Sequence, residues 1–98
     1  MKKVLILEDN PDITGEIKEI LGEEYEVKEA KNATEAIDFL QTWLPDIIIQ
    51  DCDVKGEDSF DVFKRLKSIN PYINILMISS TYEIRTAVTA AKMVVSDF

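Results

Sequence analysis

Residues 45–51 read Pro-Asp-Ile-Ile-Ile-Gln-Asp. Three consecutive isoleucines between helical stretches are short, β-branched and uniformly apolar, which fits a parallel strand buried on both faces. The same pattern occurs at Val4-Leu5-Ile6-Leu7, which runs into Glu8-Asp9, and at Ile75-Leu76-Met77-Ile78, which runs into Ser79-Ser80. In such sheets ligands bind outside the carboxyl ends of the strands, so Glu8, Asp9 and Asp51 should converge. Three ionised carboxylates at one sheet edge repel one another and raise each other's pKa values unless a cation lies among them. The pattern predicts a cation site with the Ser79 hydroxyl beside it.

Helices alternate with these strands. Asn10 can cap a first helix with Pro11 in its first turn; Ile13, Ile17, Ile20 and Leu21 form its apolar stripe, and Gly22 is a stop signal. Tyr25 to Ala30 alternates apolar and charged residues, as an edge strand wetted on one side would. Asn32-Ala33-Thr34-Glu35 resembles a capping box, and Ala33, Ala36, Ile37, Leu40 and Leu44 predict a second helix running to Pro45. After the strand Ile47 to Gln50, a polar loop holding Gly56 leads to a third helix, Ser59 to Ile69, expected to bury Phe60, Phe63, Leu66 and Ile69. Ile73 to Ile78 is the fourth strand. Glu83 to about Val95 is the fourth helix, through Ile84, Ala87, Val88, Ala91 and Val95. Trp43 is expected to serve packing.

Composition narrows the function. The 98 residues suit one domain, carry a formal charge of −8 and contain one cysteine and no histidine. The acidic balance argues against a nucleic-acid or anionic-membrane surface on this segment, and no apolar run reaches the length of a membrane span. A lone cysteine rules out a disulfide framework and fits a reducing cytosol. Cys52 reads as a small buried hydrophobe. Without histidine, histidine-ligated metals and Ser-His-Asp triads are excluded.

The acidic pair after the first strand, the stretch ending at Asp51 and Ser79 after the fourth strand together resemble the receiver domain of two-component response regulators. The likeness spans the whole chain in order. It implies an α/β fold, a doubly wound, flavodoxin-like parallel sheet with strand order 2-1-3-4. It also implies that Asp51 is the phosphoacceptor, served by a sensor histidine kinase in the cytoplasm. Glu8, Asp9, Asp51 and the main-chain carbonyl of Asp53 would hold Mg²⁺, Ser79 would be the switch hydroxyl, and Phe98, nineteen residues after Ser79, the switch aromatic. The chemistry is sound by itself: hard carboxylate oxygens suit Mg²⁺, and an ionised aspartate can form an acyl phosphate without a base.

Some positions depart from the family. Lys55 stands where a proline is usual and Ser59 where a glycine is usual; Glu8 replaces the more common aspartate, extending the reach by a methylene. The chain stops shortly before the family's lysine, so residues 1–98 are expected to be a receiver domain without its fifth strand and helix, with an output domain or effector beyond residue 98. The fourth strand then becomes a sheet edge without a charged residue, which invites self-association. The apolar side of the first helix should be exposed unless another element covers it.

Other functions remain open. Asp51-Cys52-Asp53-Val54 with a later Ser79 also resembles haloacid-dehalogenase-type phosphatases, with Asp51 as nucleophile and Asp53 as acid, although the lysine and late acidic pair of those enzymes are missing. A receiver-like interaction module that is never phosphorylated is a third reading. Asp51-x-Asp53-x-Lys55-Gly56 is similar to a calcium loop, but Lys55 and Val62 fall at positions that require ligands. As a receiver the segment is not expected to turn over an external substrate.

Overall fold

A computed structural model describes residues 1–79 and 83–96. The apolar runs form a parallel sheet of β1 (Lys2–Leu7), β2 (Tyr25–Ala30), β3 (Ile47–Asp51) and β4 (Asn74–Ile78). The helices are α1 (Pro11–Leu21), α2 (Ala33–Leu40), α3 (Ser59–Ile69) and α4 (Ile84–Ser96). Strand order is β2-β1-β3-β4, the expected doubly wound arrangement. β1 pairs with β3 from Val4 opposite Ile47 to Leu7 opposite Gln50, and β3 pairs with β4 through Asp51 opposite Ile78. This register brings Glu8, Asp51 and Ser79 to the same edge. Every residue of β3 is buried, whereas β2 alternates and is wetted, as its charges require.

Side-chain alternation along the strands sorts the core into two layers. Val4, Ile6, Ile47, Ile49 and Ile78 face Ile17, Ile20 and Leu21 of α1 and Ile84, Val88, Ala91 and Val95 of α4. Leu5, Leu7 and Ile48 face Ala33 and Ala36 of α2 and Val62 and Leu66 of α3. Each fully buried Leu or Ile contributes about 1.5–3 kcal/mol, which is what holds so small a sheet.

Helix starts follow their sequence signals. The Asn10 side chain accepts from Asp12 N–H at 2.9 Å, with Pro11 opening α1. Asn32 accepts from Glu35 N–H at 2.9 Å, and Glu35 reaches back to Lys31 N–H at 2.9 Å, one residue upstream of the usual capping-box partner. Asp58, not foreseen as a cap, accepts from the N–H groups of Phe60 and Asp61.

Two expectations need correction, and the condition set on a third is met. α2 ends at Leu40 rather than continuing to Pro45. Turn bonds from Gln41, Thr42 and Trp43 satisfy the carbonyls of Asp38 and Phe39, and the early turn folds Trp43 onto the α2 layer while Leu44 stays 61% exposed. In α3, Phe60 is 68% and Ile69 39% exposed, and Val62 is buried instead. Phe60 lies about 200° around the helix from Val62, so a helix capped by Asp58 cannot turn both inward, and Val62 with Leu66 takes the core. Finally, α1 does not lack a cover. α4 packs beside it, and Lys92 ties the two ends together by donating to Ile20 O at 3.3 Å and pairing with Glu24 at 3.3 Å.

Candidate functional site

Glu8, Asp9 and Asp51 each bring a carboxylate oxygen to within 4.8 Å of the others, as the strand-end pattern predicts. Glu8 follows β1, and its backbone N–H donates to Ala30 O at 2.9 Å, so the sheet register extends into the site. Asp51 is the last residue of β3, and the next N–H, that of Cys52, donates to Ile78 O at 2.8 Å. Both side chains are buried: Glu8 is 4% and Asp51 3% exposed. They form the floor of an open depression of about 390 Å³, lined also by Asp9, Asn10, Pro11, Asp53 and Lys55.

The electrostatics follow from this burial. Glu8 Oε2 accepts from Asn10 N–H at 3.2 Å, but Glu8 Oε1 and Asp51 Oδ1 are buried with no hydrogen-bond partner among the described residues. Desolvation, opposed by the Asn10 N–H and reinforced by the Asp51 carboxylate, pushes Glu8 up to about 7. Desolvation also raises Asp51, with the Glu8 carboxyl and, less, the Asp53 N–H pulling the other way. Asp9 moves down, chiefly because Lys55 N–H donates to its Oδ2 at 3.1 Å. Two buried oxygens without donors, beside a third held ionised, form an all-oxygen donor set that fits a hard divalent cation such as Mg²⁺.

Ser79 arrives from the end of β4, and its hydroxyl donates to Asp53 Oδ2 at 2.9 Å. The two expected site residues are therefore joined through the Asp53 carboxylate, a contact that sequence did not suggest. Phe98 lies outside the described residues.

Several supporting residues escaped the sequence reading. Gln50, 1% exposed, donates through Nε2 to Ser59 O at 2.8 Å, fixing α3 against the strand that carries Asp51. A glutamine closing an isoleucine run was a legible signal for such a role. Glu57 accepts from Ala33 N–H at 2.9 Å, so the loop after Asp51 also caps α2, and no local pattern announced it. Gly56, at φ 77, makes the left-handed turn that aims this loop back across the site. Asp46 serves the opposite end of the sheet, accepting from Lys3 N–H at 2.7 Å.

In a doubly wound parallel sheet ligands bind outside the carboxyl ends of the strands at the switch point, and the buried acidic cluster lies there, between β1 and β3. Residues 4–98 match the family model of the response regulator receiver domain, and the chain belongs to that family. It is 31% identical over 83 residues to the Fimbriae Z protein of Salmonella typhimurium, covering 82% of this chain and 40% of that protein. The chain spans between 22% and 40% of the length of the first curated relatives it matches. The CheY-like response regulator receiver domain protein of Methanospirillum hungatei superposes with a TM-score of 0.84 at 18% identity, covering 99% of this chain and 95% of that one, which speaks for the fold alone. A solved complex of the histidine kinase ThkA with the response regulator protein TrrA matches with a TM-score of 0.74 and 27% identity, covering 87% of this chain and 74% of that one.

Proposed function

We propose that Asp51 accepts a phosphoryl group from the phosphohistidine of a sensor histidine kinase. Mg²⁺ would be held by Glu8, Asp9, Asp51 and the main-chain carbonyl of Asp53, and would neutralise charge on the transferring oxygens. The supporting observation is the convergence of three carboxylates within 4.8 Å with buried, unpartnered oxygens on two of them. The similar kinase-bound regulator supports the choice of donor. In the transfer, an Asp51 oxygen forms the new O–P bond with its own lone pair while the donor's bond to phosphorus breaks and its electron pair leaves with the donor atom. Asp51 needs no base, because its ionised carboxylate supplies the lone pair itself. Ser79 would then leave Asp53 and donate to a phosphoryl oxygen, with Phe98 following it.

Acetyl phosphate with Mg²⁺ should add about 80 Da once per chain, and peptide mapping after borohydride reduction should place it on Asp51. Labelling elsewhere, or none, would sink the assignment. Steady hydrolysis of para-nitrophenyl phosphate lost on Asp53→Asn would instead reveal a phosphatase; as a receiver the domain turns over no external substrate. Residues 1–98 act as one such domain, in a cytoplasmic regulator whose output domain or effector lies beyond residue 98; no described helix is long and apolar enough to cross a membrane.

Self-association through β4 is part of this reading. β4 is a sheet edge whose residues Asn74 to Met77 are only half-buried, and it carries no charge, whereas the opposite edge, β2, carries Glu26, Lys28 and Glu29. Charges blunt one edge and not the other. Sedimentation should show concentration-dependent dimers that Met77→Lys disperses. A wild type that stays monomeric at millimolar concentration removes the idea.

A further inference from the structure

We propose that the Lys55 ammonium is a counter-ion for the phosphoryl group on Asp51, a role that rests on the phosphoacceptor reading above. Among the described residues, the depression over Asp51 is lined by four carboxylates, those of Glu8, Asp9, Asp51 and Asp53, and by one basic residue, Lys55. Phosphorylation would turn the Asp51 monoanion into a phosphoryl dianion in a site that already holds three other acids. A single divalent cation leaves that assembly negative. The positive charge already at the rim is Lys55, whose ammonium makes no ion pair with any described residue.

Its placement is built into the loop. Val54, 7% exposed, anchors the backbone on one side of Lys55, and Gly56 at φ 77 turns it on the other. Between them Lys55 N–H donates to Asp9 Oδ2 at 3.1 Å, which fixes the start of the side chain beside the metal-ligating set. A proline, usual here in the family, could provide neither that N–H nor the charge. The Lys55 charge already reaches Asp9, where it adds to the effect of the N–H in holding the carboxyl low. No proton moves in this role: Lys55 stays an ammonium while the O–P bond forms on Asp51 and the donor's bond breaks. The other nearby base, Lys31, lines an adjacent cavity that also reaches Glu8 and Asp9 and where Glu29 and Glu35 stand beside it, and the depression over Asp51 is not lined by it.

The test exploits a difference in sign. Lys55 should oppose Mg²⁺ and favour the phosphoryl group, so Lys55→Met should tighten Mg²⁺ binding slightly and weaken beryllofluoride, a phosphoryl mimic that bonds to a carboxylate. Isothermal titration of the 98-residue chain should show beryllofluoride affinity, measured with Mg²⁺ saturating, falling about fivefold at low salt. The gap should narrow in about 0.5 M salt, where the Debye length falls to roughly 4 Å. Lys55→Arg should restore the affinity, and Lys31→Met should leave it unchanged. Unchanged beryllofluoride affinity in Lys55→Met, an equal fall in Lys31→Met, or parallel weakening of both ligands as from a loosened loop would each overturn the role. A wild type that binds neither Mg²⁺ nor beryllofluoride would overturn the phosphoacceptor reading itself, and this inference with it.

Discussion

Asp51→Asn should abolish phosphoryl labelling and, in the absence of divalent metal, raise the melting temperature at pH 8. Labelling is lost because an amide nitrogen and a neutral carbonyl cannot form the acyl phosphate. Stability rises because Glu8 and Asp51 are buried together with unpartnered oxygens, and removing one charge relieves the other. Relief of about 1 kcal/mol would raise Tm by roughly 4–8 °C in a domain of this size. The pH dependence has a definite sign. Glu8 sits at about 7 in the folded chain against an ordinary 4.5, so the folded state keeps a proton that the unfolded state gives up. Its contribution is full below about 4.5 and is lost as pH rises through about 7, and the raised Asp51 acts in the same direction. The metal-free wild type should therefore melt lower at pH 8 than at pH 5.5. Mg²⁺, which binds the ionised acids, should restore more at pH 8, about 2.7 kcal/mol at a hundredfold excess over its Kd. Asp51→Asn should flatten both responses. A Mg²⁺ increment that is absent, or larger at pH 5.5, would show that these carboxylates do not form the cation site.

Val88→Asp should unfold the domain or come close to it. Val88 is 0% exposed in the layer between α4, α1 and the sheet, alongside Ile17, Ile49 and Ile78. Lys92, one turn on, is already engaged by Ile20 O and Glu24, so the substitution removes apolar contact and buries a charge among apolar side chains. A cost of about 3–5 kcal/mol is a large part of the 5–15 kcal/mol available to a small domain. Val88→Ala should cost less, about 1–2 kcal/mol, and keep the chain folded enough to measure. Chemical denaturation of the two variants tests whether α4 covers α1. If Val88→Asp melts with the wild type, α4 does not lie where the structure puts it.

Ile47-Ile48-Ile49-Gln50-Asp51 and Val4-Leu5-Ile6-Leu7-Glu8-Asp9, with the apolar run that leads into Ser79, made the buried parallel strands and the acidic site legible, because short apolar runs between helices fit strands buried on both faces and parallel register brings their ends together. Local caps were equally legible: Asn10 with Pro11, and Asn32 with Glu35, act over a few residues and need no distant partner. What sequence could not decide was anything set by the relative phase or placement of whole elements. Phe60 was expected in the core and Val62 was not, and only the packing of α3 on α2 and the sheet chose Val62. The α4 stripe was visible, but α1 as its partner was not, since an apolar stripe states what must be covered and not by what. The same limit applies within the site. That Ser79 holds Asp53, that Lys55 N–H holds Asp9 and that Glu57 caps α2 depend on loops meeting across 26, 46 and 24 residues. Such contacts leave no periodic trace in the chain, because hydrogen bonds between loops are fixed by three-dimensional geometry and not by spacing along the backbone.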